Sequence, residues 1–222
     1  MTRSALRLPA RPVPCASRIA TRLRRDRRGL AVTEFALALP LLVTVTFVGL
    51  ETVNYAFASQ KVGDIATLSA DSISRIRVGI SEGDVTDTLA GIGRLGAAID
   101  FVPNARIIVS SVQPVLDNAG NVTNQKIRWQ RCYGSLTSAT SSYGTQGQSI
   151  GAAGIGPAGP PVRKVAAIAG SELIFVETVY TYQPLININL SSGPRTIRTL
   201  ASMTVRERAA NDLTASGTAS PC

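Results

Sequence analysis

Glu34 is the one ionisable side chain in the run from Leu30 to Leu50, which is otherwise apolar, glycine, proline or hydroxyl-bearing. A carboxylate at the middle of a bilayer costs about 2.5–3.5 kcal/mol, less near the rim, so an acid in such a run calls for a counter-charge. Just before it, Arg24-Arg25-Asp26-Arg27-Arg28 leads into Gly29. Other chemistry is scarce. There is no histidine, which removes His-based general bases, Cys-His and Ser-His nucleophile pairs and the usual zinc sites. Asp84 and Asp87 are three apart, a spacing that sets two carboxylates on one helix face, but a solvated helix start accounts for them as well. Lys61, Lys126 and Lys164 stand in no motif with a nucleophile. The composition therefore points away from an enzyme and implies no metal, cofactor or small-molecule substrate.

The elements around Glu34 follow from periodicity. As a helix, Leu30 to Leu50 is about 31 Å long, which matches a hydrocarbon core of about 30 Å. The run can cross a bilayer, with Pro40 inside it removing one helical hydrogen bond and introducing a kink. Beyond Glu51, Val53, Phe57, Val62, Ile65, Ala66, Leu68, Ile73 and Ile76 recur at spacings near three and four, which predicts one helix continuing to about Val78. Ser81 followed by Glu82 and Asp84 predicts the N-cap of a second helix, whose apolar face is Val85, Leu89, Ile92 and Leu95.

From Ala105 the period shortens. Arg106 to Gln113, Lys126 to Tyr133, Glu172 to Tyr182 and Thr196 to Arg206 are rich in β-branched and aromatic residues and read as strands. Asp117 to Asn121 is a turn joining the first two as a hairpin. The alternation in the third strand does not settle which face is buried. Four antiparallel strands against the helix give an α+β fold, a long N-terminal transmembrane helix continuing into a head with a small antiparallel sheet. Residues 134–161 hold seven glycines, three prolines and no charge, and read as a long flexible loop. Within it Gly154-Ile155-Gly156-Pro157-Ala158-Gly159 spells the dinucleotide fingerprint, but neither a strand before it nor a helix after it is readable, so it predicts no cofactor.

A net charge of +9 and a pI near 10.2 would ordinarily suggest nucleic acid. Nine of the 23 basic side chains and one of the 14 acids precede Gly29, leaving 14 against 13 in the remainder. No aromatic residue interleaves those arginines to stack on bases, so no nucleic-acid partner is expected. Cations directly before a span are the positive-inside signal, which keeps residues 1–28 cytoplasmic and sends the C-terminal bulk outward, with a polybasic grip on anionic lipid added. Cys15 then stays on the reducing side. Cys132 and Cys222 both face the oxidising side, where a disulfide can persist; two free thiols are the alternative.

The residues from Gly29 to Leu42 resemble the processing site of type IV-like prepilins and, more narrowly, the TadE-like family of pseudopilins. Glu34-Phe35-Ala36 and Pro40-Leu41-Leu42 carry the pattern, and the resemblance extends over about 29–71. Major pilins of the same systems usually have Tyr after the acid and are far shorter, so Phe35 and the 222-residue length favour a minor subunit. The resemblance implies cleavage between Gly29 and Leu30 by a prepilin peptidase. It implies that Glu34 then pairs with the freed Leu30 amine of a neighbouring subunit during assembly. The partners it implies are other pilins, the pilus assembly machinery and the inner-membrane bilayer. The expected organisation is a basic leader over 1–29, a span over 30–50, a periplasmic helical stalk over 51–100 and a β-rich head over 101–222. Two alternatives stay open: an unprocessed bitopic protein whose head binds an envelope partner, and a secreted protein released after the Ala56-Phe57-Ala58 tripeptide.

Overall fold

The computed structural model describes residues 29–77, 79–158, 163–185, 195–205 and 212–222. The arginine cluster and Cys15 lie outside these residues, as do the predicted helix end at Val78, strand end at Arg206 and loop end at Gly159 to Pro161. The chain forms two compact units, residues 1–50 and 51–222.

Helix α1 spans Leu30–Ser74 with Pro40 inside it. In the first unit every described residue is exposed, including Phe35, Leu41, Phe47 and Leu37, the last at 81%. The hydroxyls of Thr44 and Thr46 donate to the carbonyls of Pro40 and Leu42, 2.7 and 2.8 Å away, so they are satisfied within the helix. An apolar helix with no polar face needs a hydrocarbon or protein environment around it. The segment is long and apolar enough to cross a membrane.

In the second unit α1 turns amphipathic and buries Ala58, Val62, Ile65, Ala66, Ser69, Ala70 and Ile73. This differs from the predicted stripe, because Val53, Phe57 and Leu68 point outward. The buried face is built largely from small residues, which let the helix approach the sheet closely. Strand β1 (Ile80–Ser81) leads into α2 (Glu82–Arg94) through a capping box: the Ser81 hydroxyl accepts from the Asp84 amide, and the Asp84 carboxylate accepts from the Ser81 amide. Val85, Leu89 and Ile92 face the core as predicted, whereas Leu95 is exposed. A 3-10 turn (Ala97–Ile99) and short α3 (Phe101–Asn104) follow, with Gly96 obligatory because a Cβ there would lie 2.3 Å from that of Phe101.

The four predicted strands are present as β2 (Ala105–Leu116), β3 (Val122–Tyr133), β4 (Glu172–Thr181) and β5 (Thr196–Val205). They form one antiparallel sheet in the order β3-β2-β4-β5. The turn between β2 and β3 is closed by Asp117, whose carboxylate accepts from the amides of Asn121 and Ala119, and these bonds hold its pKa below the ordinary value. Strand β4 is buried on both faces. Ile174, Val176 and Tyr180 join the core made with α1 and α2, while Leu173 and Phe175 join a second, smaller core on the opposite side.

That second core is roofed by the glycine-rich stretch. Residues 134–158 contain no helix or strand, as expected of a loop, yet they pack on the sheet. The Tyr143 ring meets Phe175 edge to face at 5.3 Å, and Ile155 is buried. Along the outer edge of β3 the Ile127 amide donates to Gln148, the Gly147 amide to Ile127 and the Ile150 amide to Gln125. The buried Gln125 side-chain amide clamps the backbone of Ala167 with a bond in each direction. Gly154 has φ +87°, and a Cβ there would fall 2.0 Å from the Val165 carbonyl oxygen. The glycine that opens the apparent nucleotide fingerprint is thus required by a close chain crossing.

The C-terminal segment lies along β3 and α2. Strand β6 (Leu213–Thr214) pairs parallel with β1, the Ser216 carbonyl accepts from the Gly83 amide, and that of Ser220 accepts from the Cys132 amide. Cys132 and Cys222 form a disulfide across 90 residues of sequence, their Cα atoms 4.9 Å apart.

If the loop's packing contributes to the fold, Ile155→Ala should lower stability by about 2–4 kcal/mol, the cost of truncating a buried isoleucine. Guanidinium unfolding followed through Trp129, the sole tryptophan, measures this. A change below about 0.5 kcal/mol, typical of a surface position, would show the roof to be dispensable.

Candidate processing and assembly site

Helix α1 begins at Leu30, directly after Gly29, whose carbonyl accepts the first helical bond from the Thr33 amide at 3.1 Å. The Thr33 hydroxyl donates to the Leu30 carbonyl at 2.8 Å. Gly29 is exposed, its φ lies outside the left-handed region, and an added Cβ would meet nothing within 4 Å. Neither conformation nor space among the described residues requires a glycine there. This contrasts with Gly96 and Gly154, each demanded by a neighbour.

Glu34 sits one helical turn on, about 6 Å of rise beyond Leu30. It is exposed, as is Phe35 beside it. Among the described residues Glu34 has no hydrogen-bond or ion-pair partner. In hydrocarbon it would be an unneutralised acid whose nearest helical landmark is the Leu30 backbone. Pro40 lies further along the helix and cannot donate to the Ala36 carbonyl, which leaves a weak point in the ladder with the helix assigned unbroken through it.

The charged groups of the head are arranged differently. Glu82 and Arg131 form a bidentate pair, Arg131 Nε donating to Glu82 Oε2 at 2.6 Å and Nη2 to Oε1, with both side chains largely buried. The pair ties the start of α2 to β3 beside the disulfide, and its hydrogen bonds hold the Glu82 carboxyl below its usual pKa. Glu177 is buried on the loop side of β4, where it pairs with Arg198 and accepts from the Ser142 amide. Glu172 accepts from the Ser111 hydroxyl in the core. Each of these acids satisfies a structural neighbour, and among the described residues no three metal-binding side chains cluster. Asp84 is engaged in the cap of α2, while the Asp87 backbone lies on its next turn with no shared site between them. A shallow cavity of about 430 Å³ beneath the loop is lined by Ser142, Tyr143, Gln148 and Lys164 and contains no carboxylate.

One cluster escaped the sequence reading. The Tyr182 hydroxyl donates to Glu51 Oε1 at 2.9 Å and accepts from Asn54 Nδ2 at 2.7 Å, while the Leu185 amide donates to Glu51 Oε2 at 3.1 Å. The Tyr55 ring meets that of Tyr182 edge to face, and the Arg195 guanidinium lies over Tyr55 at 5.9 Å. Burial, with Glu51 as acceptor, pushes the Tyr182 pKa up to about 12. The available signal was an acid on the helix immediately after the apolar run, which needs a donor. The donor's position, far along the chain at the end of β4, is not readable from spacing.

The Glu82 pair has a definite pH signature. Because its pKa is lowered in the folded state, its stabilisation is present above the ordinary carboxylate pKa of 4.5 and is lost as pH falls through the lower folded value. Glu82→Gln should therefore cost about 1.5–3 kcal/mol at pH 7, the range for a hydrogen bond to a charged group. The difference from wild type should shrink in acid. Unfolding curves at neutral and strongly acidic pH check it; a pH-independent difference would assign the effect to packing.

Comparisons with family models, with curated proteins and with solved structures find no match to this chain.

Proposed function

We propose that this chain is a TadE-like minor pseudopilin, a single-pass subunit of a tight-adherence pilus machine that works by assembly and not by catalysis. Its basic N-terminus would be cytoplasmic, its helix would cross the inner membrane and its head would occupy the periplasm. The observation that carries the reading is the pairing of Gly29 with Glu34. A glycine with no conformational or steric reason stands at the start of an apolar helix, and one turn beyond it stands an acid with no partner among the described residues. Cleavage after Gly29 gives both a purpose. The small residue admits a peptidase to the scissile bond, and the new Leu30 amine of a neighbouring subunit supplies the charge that Glu34 lacks.

The extent of exposed apolar helix supports the membrane part of this reading, because Leu30 to Leu50 is the length of one crossing. Release after Ala58 fits less well. Ala58 is buried in the head's core, and Glu51 and Asn54 hold Tyr182, so that cut would fall within packed helix. The disulfide between Cys132 and Cys222 agrees with an oxidising compartment for the head.

N-terminal sequencing of membrane-extracted protein tests the proposal directly: the mature chain should begin at Leu30. Gly29→Leu should leave only the full-length form. An unchanged mature N-terminus in that variant would end the processing reading, and an intact wild-type chain would favour the unprocessed bitopic alternative.

Glu34→Ala separates assembly from insertion. The variant should enter the membrane at least as well as wild type, since a polar group leaves hydrocarbon. Crosslinking to sister pilins and surface piliation should nevertheless fall. Normal piliation at normal protein levels would make Glu34 a passenger.

A further inference from the structure

The apolar character of α1 does not stop at Leu50. From Leu30 to Gln60 the charged side chains are Glu34 and Glu51 alone. If residues 30–50 fill the hydrocarbon, the headgroup layer beyond it, about 5–7 Å thick, takes up roughly the next three to five residues, to about Tyr55.

Those residues are where the head's cluster is built. Glu51 and Asn54 hold Tyr182, Glu51 also holds the Leu185 amide, and Tyr55 packs on Tyr182 under Arg195. Tertiary structure therefore brings the end of β4 and the start of β5 to the level of Glu51. Around this point the large apolar side chains turn outward: Val53 is 68% exposed, Phe57 46% and Leu185 70%. Arg195, over the Tyr55 ring, is exposed as well. Glu51, the one acid at this level on α1, accepts hydrogen bonds from Tyr182 and Leu185 and so does not present a bare anion.

We infer that Val53, Tyr55, Leu185 and Arg195 form a collar by which the head rests on the lipid headgroup layer. This rests on the proposal that residues 30–50 span the bilayer. The composition is that of membrane interfaces: an aromatic ring and aliphatic chains reach the acyl boundary while a guanidinium meets lipid phosphate. The collar gives the head a membrane contact, through Leu185 and Arg195, from the segments after β4 and before β5 and not from the spanning helix.

Depth-dependent fluorescence quenching tests the collar in the full chain reconstituted into phosphatidylcholine nanodiscs. Single tryptophans are introduced by Leu185→Trp, Val53→Trp, Val45→Trp and Leu116→Trp, and the Trp129 signal measured in the parent is subtracted. Leu116 is exposed at the far end of β2, about 37 Å along the strand from Ala105, which pairs with Tyr180. Leu185→Trp and Val53→Trp should each lose roughly half of their emission to lipids brominated near the headgroup, as expected for residues at the acyl boundary. Leu116→Trp should lose none, and Val45→Trp should be quenched by deep bromines. Deep quenching at Val45→Trp with no more quenching at Leu185→Trp than at Leu116→Trp would overturn the collar and leave the span intact; a protein partner covering the patch in the cell would give this result. Absence of quenching at Val45→Trp would overturn the span and the collar with it.

Discussion

A sheet whose inner strands are apolar on both faces has to be covered twice. Strands β2 and β4 bury nearly every residue along the stretch where they pair, and the second unit is organised to meet that demand. On one side α1 and α2 supply long amphipathic surfaces. On the other no helix is available among the described residues, and a glycine-rich segment does the covering with Tyr143, Ile150 and Ile155. Having only a few large side chains, that segment gains its hold through backbone bonds to β3, and the Gln125 amide fastens Ala167, beyond it in the chain, to the same strand. Acids caught beneath these layers each take a donor: Glu172 takes Ser111, Glu177 takes Arg198 and Glu82 takes Arg131. The polar interior follows from the double cover, since strands closed on both sides leave their occasional acids no route to water.

Helices, strands and the hairpin were legible because each has a local cause. Ser81 and Asp84 are a capping box whether or not anything else folds, and Asp117 closes its turn with its own carboxylate. Position 120 needs glycine for its φ of +84°, and the sequence has it. The glycine-rich roof was not legible, because Tyr143, Ile150 and Ile155 stand among glycines and hydroxyls with no period, and the segment's bonds to β3 are made by its backbone. The outward face of α1 was misread at Val53, Phe57 and Leu68, since spacing alone cannot distinguish an apolar residue facing a sheet from one facing another apolar medium. The Tyr182 cluster was out of reach for a different reason, as a hydrogen bond between the first helix and the end of β4 depends on strand order.

Gly29 and Glu34 stand out by the opposite logic. Most residues of the second unit have a reason inside the fold, whereas among the described residues these two have none; Gly49 and Gly91 also meet nothing, so it is the spacing of Gly29 and Glu34 at the helix start, and not exposure alone, that the proposed assembly role rests on. Reading a site from the absence of a structural role requires that the roles be known elsewhere; the obligatory glycines at 96 and 154 provide that contrast. The same comparison separates Glu34 from Glu51, two acids on one helix, of which the second is held by a tyrosine and the first by nothing among the described residues.

The link between Cys132 and Cys222 has a mechanical meaning. It closes a covalent ring around β4, β5 and the C-terminal segment, 90 residues that could otherwise release about 300 Å of extended chain. Under tension between α1 and the last residue, that length stays unavailable even if the sheet comes apart. Load would pass from the helix through α2 and the β2–β3 hairpin to Cys132 and across the sulfur bridge. Pulled this way, the head would release at most the roughly 190 Å of chain between Ser74 and Cys132, and β4 and β5 would remain close together within the ring.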